Sequence, residues 1–152
     1  MDIKKIILWI VVLVLVELVT IMVINKYYVG DVFIIIPNVL EFRPTFNTGV
    51  ASTSVLNVFF LLRLVILSTL LALVFFFYRN KRKKKTNTKY LDIFFILIVS
   101  SAIISILSLI FKDINLSYIL LNPFFTFGLI DIYTICGITA FLFHLIFPKK
   151  IE

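Results

Sequence analysis

The sequence predicts an all-α polytopic membrane protein, with four transmembrane helices and a small extracytoplasmic β-hairpin or cradle between helices 1 and 2. Three observations carry that expectation. The chain is 62% hydrophobic with a mean hydropathy of +1.14, well above the roughly 45–50% apolar content of soluble domains. Its apolar residues fall into four runs of about twenty, each enough to cross a bilayer core of about 30 Å. Between the first two runs lies a stretch of short, strand-like segments punctuated by proline and asparagine. At 152 residues, one membrane domain accounts for the whole length.

Helix 1 is expected over about residues 6–24, interrupted only by Glu17 and Thr20. The run is too long and too β-branched for a cleavable signal peptide, and no small-residue cleavage site follows it. Residues 26–55 change character. Val32–Ile36 and Val39–Phe42 flank the turn signal Pro37-Asn38, and Pro44 ends the second run. Asn47-Thr48-Gly49-Val50-Ala51-Ser52 follows, small and polar, before helix 2 at about 56–78 with Arg63 near its outer end. Arg63 either snorkels to lipid phosphate or meets a carboxylate within the bundle. A basic loop is expected over 79–90, helix 3 over 91–111, an outer loop over 112–127 and helix 4 over 128–147.

Charge sets the orientation. Lys4 and Lys5, seven basic residues within 79–89, and Lys149 with Lys150 make eleven of the fifteen Lys and Arg, all on one side of a four-helix arrangement. Lys26, Arg43, Arg63 and Lys112 lie on the other, beside Asp31, Glu41 and Asp113. The positive-inside rule places both termini in the cytoplasm and residues 26–55 and 112–127 outside. The net charge of +7 therefore reads as a solvated topology signal rather than a nucleic-acid surface.

Intramembrane polar residues carry the chemistry. Asp131 lies inside the fourth apolar run, where an ionised carboxylate is unfavourable by roughly 2.5–3.5 kcal/mol or more. It reads as a functional site facing the bundle interior or, lying one turn inside, as a helix-start cap. Glu17 is a second such carboxylate: a polar anchor toward the other helices, or a group paired with a nearby hydroxyl or kept protonated. Ser101, Ser105 and Ser108 recur at spacings of four and three, so they share one face of helix 3, which is expected to face Asp131 and Glu17. Cys136 and His144 are the only residues of their kinds. That excludes internal disulfides and cysteine- or His-pair metal sites, and it leaves a Ser-His-Asp triad without support. His144 reads as an interfacial side chain. No metal or cofactor is expected.

Taken together, these residues resemble signal peptidase II, the bacterial lipoprotein signal peptidases, which are intramembrane aspartyl enzymes. Gly30-Asp31 followed by Pro37 looks like that family's way into its outer β-cradle. Asn47-Thr48-Gly49-Val50-Ala51 is similar to its Asn-x-Gly-Ala-Ala segment. Phe127-Gly128-Leu129-Ile130-Asp131 is similar to its Phe-Asn-x-Ala-Asp motif, which carries one of two catalytic aspartates. The resemblance implies a bacterial cytoplasmic-membrane location. The departures are specific. Where the family's third helix reads Gly-Gly-Ala-x-Gly-Asn-x-x-Asp-Arg, this chain has Ser100-Ser101-Ala102-Ile103-Ile104-Ser105-Ile106-Leu107-Ser108-Leu109. Ser108 stands at the aspartate, Leu109 at the arginine and Ser105 at the asparagine. Gly128 replaces the asparagine of helix 4, and Glu17 replaces an aspartate of helix 1.

An aspartyl peptidase needs two carboxylates sharing a proton. Ser108 cannot be the second, because a hydroxyl does not ionise near neutral pH without an activating partner. Asp113 is the nearest substitute, displaced by about 140° and about 7 Å along an ideal helix. Three readings follow. In the first, the chain is a catalytically degenerate relative that binds membrane lipid, a lipoprotein or a membrane-protein helix in the former substrate groove, through Asn47, Gly49, Glu17, Ser105 and Gly128. In the second, it is an active divergent peptidase using Asp131 with Asp113. In the third, it is an unrelated four-helix subunit.

Overall fold

The structure, a computed structural model, describes residues 1–46, 56–83, 89–111 and 116–146. Among the described residues four helices carry the fold: α1 (Ile3–Tyr27), α2 (Leu56–Lys83), α3 (Lys89–Ile110) and α4 (Leu129–Ile146). Each contains a stretch long and apolar enough to cross a membrane, and the chain is a multi-pass membrane protein. The same residues supply four strands: β1 (Phe33–Ile36) and β2 (Leu40–Phe46) between α1 and α2, β3 (Leu116–Leu121) and β4 (Phe125–Phe127) between α3 and α4. They form one antiparallel sheet in the order β1-β2-β3-β4.

Two expectations need correction. Residues 112–127 were expected as an outer loop, but their described part supplies half of the sheet. The β2–β3 ladder runs from Leu40 opposite Leu121 to Phe46 opposite Leu116, so the cradle is built from two distant segments rather than one hairpin. The physical reason is pairing: β2 needs a hydrogen-bonding partner on its second edge, and Leu116-Ser117-Tyr118-Ile119 supplies it. The basic stretch also begins as helix, since α2 continues through Arg79 to Lys83. Arg and Lys are good helix formers, and no cap or breaker stands at position 78.

Burial within the bundle follows the helical repeat. Along α1, Ile6, Ile10, Leu13, Glu17, Ile21 and Ile24 recur at spacings of four and three, and they are the positions that turn inward. Glu17 occupies an ordinary core position of that stripe, with 1% of its surface exposed. On α4 the inward row is Tyr133, Gly137, Ala140 and His144. The central helix is α3, against which α1, α2 and α4 all pack. Gly137 lets α3 and α4 approach closely, because a Cβ there would lie 2.9 Å from Ile98 Cδ1.

Two apolar clusters result. Near the basic end, Tyr78 stacks on Phe95 with centroids 4.1 Å apart, and Phe141 meets Phe94 and Phe77. At the opposite end, Ile21 and Ile24 of α1 pack under Leu116 and Tyr118 of β3, with Phe42 and Leu129 at the margin. This second cluster seats the sheet on the helices and positions the polar residues beneath it.

Candidate functional site

Tyr118 is the centre of the polar group beneath the sheet. Strand alternation turns it from β3 toward the helices, where it is 5% exposed. Its hydroxyl donates toward Glu17 Oε2 at 3.5 Å and accepts the backbone N–H of Leu129 at 2.9 Å. One tyrosine therefore ties α1, β3 and the start of α4 together. Burial, and then the charge of Glu17, hold the Tyr118 hydroxyl in its neutral form well above the usual tyrosine range. An aromatic chain of Tyr28, Phe33 and Phe42 reaches Tyr118 along the sheet, with centroids 5.8–6.4 Å apart.

Gly128 has a steric role. A Cβ at that position would stand 3.3 Å from Tyr118 Cε1. The small residue where the resemblance implies asparagine thus goes with a ring occupying the adjacent space. Asp131, two residues into α4, accepts the Gly128 N–H on Oδ2 at 2.9 Å. This is the carboxylate half of a capping box. Asp131 is exposed, and its other oxygen has no partner among the described residues. The Tyr118 hydroxyl that reaches Glu17 also accepts the N–H of Leu129, the residue after the Gly128 that Asp131 caps.

The serine face of α3 is not used uniformly. Ser101 Oγ lies 2.7 Å from Thr134 Oγ1 and 3.5 Å from the Ile130 carbonyl, joining α3 to α4 one turn below Asp131. Ser108, where the resemblance implies the second aspartate, donates to the Ser105 carbonyl of its own helix at 2.8 Å. Ser100, which stands at the first glycine of the resembled third-helix motif, is fully buried and donates to the Ile96 carbonyl at 2.8 Å. Asn47, Gly49 and Asp113 lie outside the described residues, as does the side chain of Arg63. His144 lies in the last turn of α4, at the basic end of the bundle. It is 8% exposed in the inward row of α4, near Lys81.

A second polar group at the basic end carries no sequence motif. Asp92, with no exposed surface, accepts the Tyr78 hydroxyl at 2.7 Å and pairs with the Met1 ammonium. Arg82 donates to Tyr78 Oη at 2.8 Å and to the Met1 carbonyl. The signal for it was a lone acid in the first turn of an apolar helix, directly after a basic run.

No protein-family model matches the chain, and no curated protein matches it. Solved structures do. Two of them, both of a bacterial membrane enzyme crystallised by the in meso method, at 1.9 and 2.3 Å resolution, share the fold. The first gives a TM-score of 0.68 at 23% identity, over 95% of this chain and 94% of that one. The second gives 0.67 at 21%, over 99% and 96%. At these identities the likeness is one of fold, that of a membrane enzyme spanning nearly the full length of each chain.

Proposed function

We propose that the chain is a signal-peptidase-II-like protein that holds a lipid-modified or membrane-inserted polypeptide segment beneath its sheet without cleaving it. One observation carries this reading. The position matching the second dyad aspartate is Ser108, and its hydroxyl is committed to the backbone of α3. A hydroxyl in that state neither shares a proton with Asp131 nor activates water. The second oxygen of Asp131, without a partner among the described residues, still offers a hydrogen-bond acceptor to a main-chain N–H. A bacterial cytoplasmic membrane, with both termini on the cytoplasmic side, fits the same reading and the distribution of basic residues.

One feature favours a second reading, an active peptidase: the Tyr118 hydroxyl links Glu17 to the same first turn of α4 that carries Asp131. Glu17 is covered, however, and receives the Tyr118 hydroxyl. A detergent-solubilised sample and a fluorogenic lipoprotein signal peptide separate the two. The binding reading expects retention of the peptide, measured by anisotropy, with no cleavage above background. Retention should weaken in Asp131→Asn. Cleavage abolished by Asp131→Asn would overturn it. Parallel loss in Glu17→Gln or Asp113→Asn would then identify the partner carboxylate.

A further inference from the structure

We propose that the basic end of α2 carries a binding site for one anionic phospholipid, with Arg79 and Asn80 holding the phosphodiester and Phe75 and Phe76 bedding its acyl chains. These four residues line an open cleft of about 240 Å³. Their spacing places them on one side of α2, with the aromatic pair one turn deeper along the membrane-spanning stretch and the polar pair at its end.

The cations of this helical turn are not equivalent. Arg82 is engaged with Tyr78 and the Met1 carbonyl, and the ammonium of Lys81 lies 5.6 Å from the centroid of the Phe77 ring. Arg79 is exposed and has no hydrogen-bond or ion-pair partner among the described residues. Phe76 beside it is 71% exposed. A planar guanidinium matches the two free oxygens of a phosphodiester, and a basic cluster at a membrane surface attracts anionic headgroups. A lipid differs from a free anion in carrying acyl chains that run from its phosphate past the phenylalanines one turn deeper.

The test uses the full chain in nanodiscs of phosphatidylglycerol and phosphatidylcholine, with retained lipids counted by native mass spectrometry after release. Wild type is expected to enrich phosphatidylglycerol. Arg79→Gln should lower that enrichment about fivefold, the scale of one basic side chain at an anionic surface. Phe76→Ala should also lower it, although no charge changes. Lys5→Gln removes an equal charge at the same end of the bundle and should leave the enrichment intact. Inorganic phosphate at millimolar concentration should not displace the lipid.

Unchanged enrichment in Arg79→Gln overturns the proposal. A loss in Lys5→Gln as large as in Arg79→Gln overturns it in favour of diffuse attraction. Displacement by phosphate overturns it in favour of a free-anion site. Should Arg79→Gln fail to melt like wild type in phosphatidylcholine alone, Phe76→Ala at its exposed position decides, and an unchanged ratio there refutes the site.

Discussion

Tyr118 joins three elements through one oxygen, so its removal is felt in two places. Tyr118→Phe takes a donor from Glu17 and leaves the Leu129 N–H without its acceptor. An orphaned buried donor costs about 1–3 kcal/mol, and a lowered melting temperature in detergent is expected. The pH dependence has a definite sign. Burial holds the hydroxyl protonated above its ordinary value of 10.0 in the folded protein. The folded state therefore keeps a proton that the unfolded state releases, and the stability it lends is present below about pH 10 and lost as pH rises beyond. Wild type should lose melting temperature above pH 10 more steeply than Tyr118→Phe, by differential scanning fluorimetry. Equal slopes would remove Tyr118 from the account. The sequence announced Asp131 and Glu17, because carboxylates in apolar runs stand out by their cost. It did not announce Tyr118, since tyrosine in a strand is unremarkable and only tertiary packing brings it over Glu17.

Between residues and molecule, the turn and the helix contact make separable predictions. Asn38 joins β1 to β2 with φ of 61°, a left-handed conformation that asparagine and glycine tolerate. Asn38→Gly should be near neutral, whereas Asn38→Val should destabilise the hairpin by about 1–2 kcal/mol. Circular dichroism melts of both variants check this. Gly137 sits where α3 and α4 touch, and Gly137→Val should separate them, at a cost of about 1–3 kcal/mol for an overpacked contact. Loss of the Ser101–Thr134 hydrogen bond would follow; an unshifted melting temperature would argue against so tight a contact. The four helices were legible because length and hydropathy alone define them. The first hairpin was legible from Pro37-Asn38. Its pairing with 116–121 was not, because strand partners 70 or more positions apart leave no local periodicity to read.

For the molecule as a whole, orientation is the outstanding physical claim, and it rests on charge. With Cys136→Ser as background, a cysteine at Asn38 should react with an impermeant thiol reagent in intact cells, and one at Thr86 only after lysis. The reverse pattern would invert the topology and with it the leaflet that Arg79 addresses. The solved membrane enzymes share the architecture at 23% and 21% identity. That likeness is intelligible from composition: an apolar helix tolerates many substitutions, while Glu17, Gly137 and the sheet register constrain few positions.

The element order hides a simple division. Helix, two strands and helix come first, then helix, two strands and helix again, and the middle ladder of the sheet, β2 against β3, is the seam between the halves. Each half starts and finishes on the basic side, so each is a helical hairpin able to insert on its own, with assembly following in the bilayer. Two co-expressed fragments, one carrying α1, β1, β2 and α2 and the other α3, β3, β4 and α4, should find each other through the β2–β3 seam and the faces of α3.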